Sequence, residues 1–155
     1  MVSEEAIDWS AFGYPEIPII LIELQSGNHV VRFGGFAFLE DKIVHGDVHQ
    51  EDIDLGHGLP KILSSEIHLY LAPFLIDLLR LPDVGDKENL LLLLITMSSY
   101  IRFHDGNKNL YALAGKIHDT IWGGFAIYVE LARNGTPSIK YHVAELFTEY
   151  PEHHW

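Results

Sequence analysis

The sequence predicts an all-α fold of paired helices, and three observations carry that expectation. Over most of the chain apolar residues recur at steps of three and four, the spacing that puts one stripe on a helix face. Short polar clusters, QSGN, PDVGD and NGTP, interrupt these stretches with residues that stop and start helices. With 48% hydrophobic residues in a length of 155, the chain is long enough for one real core and too short for two ordinary domains. Residues 1–155 are therefore expected to form a single domain.

In chain order, IPIILIEL puts Ile17, Ile20, Leu21 and Leu24 on one helical face, whereas a strand would set Ile19 and Glu23 on the same face. The helical template fits better. QSGN ends that helix, and Asn28 supplies the next N-cap. HVVRFGGFAFLEDKIVHG then holds Arg32, Gly35, Phe36, Leu39 and Ile43 in helical register. Its β-branched and aromatic residues also suit strands, and each glycine costs a helix interior about 1 kcal/mol. An α+β alternative with an N-terminal hairpin over residues 17–45 thus stays open.

The later signals are plainer. SSEIHLYLAPFLIDLLRL, residues 64–81, carries Ile67, Leu71, Phe74, Leu75, Leu78 and Leu79 on one stripe and reads as a helix kinked at most by Pro73. After PDVGD, Asp86 is placed to cap KENLLLLLITMSSYIRF, a helix apolar nearly all round. RFHDGNKN breaks the chain again, and LAGKIHDTIWGGFAIYVELARN reads as a helical segment whose middle, Gly123–Gly124, is undefined. In the last segment Thr136 is a good N-cap and Pro137 takes the first helical position, where a missing N–H costs nothing. Ile139, Val143, Ala144, Phe147 and Tyr150 line one face, and Pro151 ends the helix.

Two second helices share a form: from Arg32, basic-x-x-Gly35-Phe36-x-x-Leu39, and from Lys140, basic-x-x-Val143-Ala144-x-x-Phe147. With GYPEIPIILIELQSGN, LAPFLIDLLRLPDVGDKENLLLLL and GGFAIYVELARNGTPSIKYHVAELFTEYPE, these residues resemble the bacterial HEAT-repeat family over nearly the whole chain. The resemblance implies a short right-handed α-solenoid of about three antiparallel helix pairs, near residues 15–45, 64–104 and 116–151. It also implies an apolar-Pro step opening a first helix, at Ile17-Pro18 and Ala72-Pro73, and an Arg or Lys early in a second helix. The second repeat departs from the pattern by lacking that basic residue. HEAT-like solenoids usually bind proteins along an extended surface; some relatives are cofactor lyases, and a related helical-repeat group acts on damaged DNA bases.

Charge and composition narrow these classes. Twenty-two acids stand against 10 Lys plus Arg, for a net charge of −12, which repels a phosphate backbone. No nucleic-acid partner is expected. The acids concentrate in Glu40, Asp41, Asp47, Glu51, Asp52 and Asp54, opposed in that stretch by Lys42 alone, a solvated loop or a docking surface for a basic protein. Cysteine is absent, which removes disulfides and thiolate chemistry and suits a reducing cytosol. The acidic N-terminus has no export signal, and LLLLLIT is too short to span a bilayer. A cytoplasmic protein without a membrane partner is expected.

Catalytic patterns are weak. His45 and His49 are four apart, with His57, Asp47 or Glu51 as a third ligand, so a His/Asp metal-dependent enzyme centred on residues 45–57 is the competing class. In a polar, Gly46-containing loop such spacing fixes little, and exposed histidines are the simpler account; His153 and His154 read as a frayed tail. Ser64, Ser65, Ser98 and Ser99 sit in no G-x-S-x-G elbow, and neither Gly34-Gly35 nor Gly123-Gly124 has G-x-G-x-x-G spacing. No cofactor and no catalytic residue is expected. Of Trp9, Trp122 and Trp155, Trp122 suits the core and Trp155 an exposed interface anchor.

In the family's stacking, second helices line the inner face, where the polar positions are Glu40, Asp41, Glu88, His142, Glu145 and Glu149. The expected function is therefore a non-enzymatic protein-binding scaffold, in its most concrete form an immunity or inhibitor protein that neutralises a basic bacterial toxin such as a nuclease. A homo-oligomer built through exposed solenoid ends is a third class.

Overall fold

The computed structural model describes residues 7–44, 67–99 and 108–150. Among these residues every regular element is helical. A 3₁₀ turn (Trp9–Phe12) precedes α1 (Ile17–Glu23), and α2 (His29–Phe38) runs on into a π-helical segment (Leu39–Val44). There follow α3 (Ile67–Arg80), α4 (Lys87–Ser99), α5 (Lys108–Trp122), α6 (Phe125–Asn134) and α7 (Pro137–Thr148). The all-α expectation is met among the described residues, and the hairpin alternative fails, because residues 17–23 and 29–44 are helical on either side of the 24–28 turn.

Local chemistry accounts for the boundaries. The Asn28 side-chain oxygen accepts from the Val30 amide at 2.9 Å, and the Thr136 hydroxyl accepts from the Ile139 amide at 3.3 Å, satisfying first-turn N–H groups that have no partner within the helix. Pro18 and Pro137 occupy the first turns of α1 and α7. The resemblance misplaces the second apolar-Pro step: Ala72-Pro73 lies inside α3. Pro73 is tolerated there because the surrounding side chains, Leu71, Ala72, Phe74 and Leu75, are buried, and packing outweighs the propensity cost.

The segment 113–134 is two helices, not one. Gly123 and Gly124 separate α5 from α6, and a Cβ on Gly124 would stand 2.7 Å from the Tyr128 hydroxyl and 3.1 Å from Ile76 Cγ2. That space is occupied because the buried Tyr128 donates its hydroxyl to the Ile121 carbonyl at 2.6 Å, closing the end of α5. Burial pushes the Tyr128 phenol far above its ordinary pKa, and the neighbouring Tyr150 adds to the shift. The group is a permanent donor.

The pairs predicted from sequence pack together: α1 on α2, α3 on α4 and α6 on α7. The approach of α2 to α1 is close at Gly35, where a Cβ would meet Leu24 Cδ2 at 3.0 Å. Central to the molecule is α4, which contacts α3, α5, α7 and the π-helical segment. Leu90, Leu91, Leu93, Leu94 and Met97 are all buried, and this explains why its sequence lacks a polar face. Among the described residues helix α5 packs on α3 and α4. Among the described residues no helix is long and apolar enough to cross a membrane.

Asp86 is not the side-chain cap the sequence suggests, because its carboxylate is turned to Arg32 and His29. It sits in the left-handed region at φ 57°, its carbonyl accepts from the Asn89 amide at 2.9 Å, and its carboxylate Oδ2 accepts from Arg32 Nε at 2.8 Å. Arg32 Nη1 also donates to the Ser26 carbonyl at 2.9 Å. One guanidinium thus ties the turn after α1 to the turn after α3, packed so closely over Gly85 that a Cβ there would lie 2.9 Å from Cζ. Lys140, the other basic residue of the shared form, is exposed. Arg32 has the 81–86 turn of the next helix pair to reach, whereas no pair follows α7 among the described residues.

Candidate functional site: the surface of the second helices

Helix α4 touches both the π-helical continuation of α2 and α7. These elements carry five of the residues expected to bind a partner, Glu40, Asp41, Glu88, His142 and Glu145. Glu40 and Asp41, exposed, begin the π-helical segment, and Glu88, half-buried, is in the first turn of α4. On α7 the half-buried His142 Nδ1 meets Glu145 Oε1 at 3.2 Å, a contact made on adjacent turns of the same helix.

Glu149 is placed differently. It follows α7 directly, and its backbone carbonyl accepts from His118 Nε2 of α5 at 3.1 Å. The adjoining Tyr150 stacks on His118 with ring centroids 3.8 Å apart, donates to the His118 carbonyl at 3.0 Å and meets the buried Ser98 hydroxyl at 3.2 Å. This end of α7 is locked onto α4 and α5. Ser98 thus has a partner in the packing of α4 against the end of α7.

Asp47, Glu51, Asp52, Asp54 and Trp155 lie outside the described residues, as do His45, His49 and His57 of the competing metal reading. Among the described residues no group of three His, Asp or Glu is arranged to hold a metal ion. Trp9 is buried, and Trp122 packs among Phe125, Phe147 and Tyr150, so neither indole is an exposed anchor.

Sequence reasoning missed the apolar members of this surface. Phe33 is 64% exposed, Tyr141 64% and Leu92 39%, one on each of the three helices. Each shares a face with an acid: Phe33 with Glu40 two turns on, Leu92 with Glu88 one turn back, Tyr141 with Glu145 one turn on. Between α2 and α4, Phe36, Glu40, Asn89 and Leu92 border a small cavity of about 140 Å³. The helical period alone relates Phe33 to Glu40, but a strand-like HVVRFGGFAF hides it. Compared with protein-family models, curated proteins and solved structures, the chain matches none of them.

Proposed function

We propose that this chain is a non-enzymatic protein-binding scaffold, a short right-handed HEAT-like α-solenoid of about three helix pairs that acts in the cytosol. In the most concrete version it is an immunity or inhibitor protein that neutralises a basic bacterial toxin, such as a nuclease, by covering it. The observation that carries the proposal is that α2, α4 and α7 each expose an apolar side chain, Phe33, Leu92 and Tyr141, one or two helical turns from an acid. Buried aromatic and aliphatic anchors supply most of the binding energy in protein interfaces, while surrounding charge sets partner choice and association rate. A net charge of −12 favours a basic protein and disfavours nucleic acid.

The test is co-expression and purification with the product of the neighbouring gene, followed by binding measurements on the pair. A stoichiometric complex with a basic protein is expected, whose toxicity this chain suppresses. Phe33→Ala and Tyr141→Ala are expected to speed dissociation about tenfold or more, the scale of a lost interface anchor. Should the neighbouring product neither bind nor be inhibited, or bind with unchanged kinetics in both variants, the proposal fails.

A further inference from the structure

One junction between helix pairs is filled and the next is open. Between the first and second pairs, Arg32, fourth residue of α2, spans from Ser26 to Asp86 and covers Gly85. The fourth residue of α4 is Leu90, wholly buried in the core, so the position that corresponds to Arg32 sends no cation to the 135–136 turn. A groove of about 710 Å³ lies there, between the end of α3, the start of α4, one face of α6 and the α6–α7 turn. The missing basic residue of the second repeat thus has a structural counterpart. The volume falls within the roughly 300–1,000 Å³ typical of small-molecule sites.

The lining fixes the chemistry of an occupant. Leu79, Pro82, Ile127, Leu131 and Ile139 give the groove an apolar trough, and its cations are Arg80 and Lys87. Arg80 meets Asp77 only at 3.8 Å and is largely exposed, and among the described residues Lys87 has no carboxylate within ion-pair distance. The acid of the lining, Glu130, accepts from the Asn134 side-chain amide at 2.6 Å and keeps its charge. Arg80 and Lys87 against Glu130 leave the lining one positive charge in excess, with Lys87 the cation that, among the described residues, has no carboxylate beside it, in a chain that is otherwise strongly acidic. We infer that the groove binds a small amphipathic carboxylate, its alkyl or aryl body in the trough and its carboxylate at the Arg80–Lys87 rim.

Octanoate, octanol and octylammonium, which share a chain and differ in head charge, are the probes, titrated into the full chain by calorimetry. Octanoate is expected to bind saturably at one site, about tenfold or more tighter than octanol, with octylammonium weakest. The Arg80→Gln/Lys87→Gln double variant is expected to bring octanoate down to the level of octanol. Ala126→Trp, at an exposed position lining the groove, is expected to abolish binding while the circular dichroism spectrum and melting temperature stay those of the parent. Equal binding of the three probes, no saturable octanoate binding, or octanoate binding undiminished in either variant would overturn the inference.

Discussion

Tyr128 shows how one side chain replaces a sequence signal. LAGKIHDTIWGGFAIYVELARN marks a weak point at its glycines but does not say whether the helix bends, breaks or continues. The break is decided by a hydroxyl reaching back to the Ile121 carbonyl over a residue with no Cβ. Tyr128→Phe is therefore expected to cost about 1 kcal/mol, the net worth of one buried hydrogen bond, and Gly124→Ala about 1–3 kcal/mol by overpacking; urea denaturation measures both. Asp86 supports a second prediction. The hydrogen bond from Arg32 holds its carboxyl below the ordinary aspartate range, partial burial opposes the shift, and the guanidinium charge and His29 reinforce it. A depressed folded-state pKa makes the unfolded chain bind more protons, so the stabilisation is fully present above about pH 4 and is lost as pH falls through the folded-state value. Asp86→Asn is expected to lower stability at neutral pH and to flatten its acid limb. Coincident acid limbs for variant and parent would contradict that account.

At the scale of elements, caps and periodicity were legible because their causes are local. Asn28, Thr136 and Pro137 act within a turn of their own positions, and the stripe on α3 is buried as its spacing requires. The double glycine of α2 was not legible, because its two members have opposite surroundings. A Cβ on Gly34 meets nothing within 4 Å, whereas one on Gly35 meets Leu24 at 3.0 Å in the packed face of α1. Gly34→Ala is expected to stabilise by about 0.5–1 kcal/mol through helix propensity, and Gly35→Val to destabilise by about 1–3 kcal/mol through overpacking. Thermal melts of the two variants should move in opposite directions; a shift of the same sign in both would place the α1–α2 contact elsewhere.

For the whole molecule, charge and packing act at different ranges. The net charge of −12 steers association over distances that salt screens, while Phe33, Leu92 and Tyr141 act only in contact. Charge reversal at Glu88→Lys and Glu145→Lys is thus expected to slow association with the proposed basic partner and to reduce its salt dependence, leaving dissociation nearly unchanged. Stopped-flow binding at low and high ionic strength separates the two effects. The sequence by itself determined that the chain is helical, where most helices begin, and that its acids outnumber its bases, because capping, periodicity and net charge are local or additive quantities. Only the tertiary structure decided that Arg32 bridges two turns, that Tyr128 closes α5, that Phe33, Leu92 and Tyr141 are left exposed, and that a groove opens beside Lys87. Each of those depends on residues far apart in the chain, and which side chains meet across such separations is set by how the helices pack.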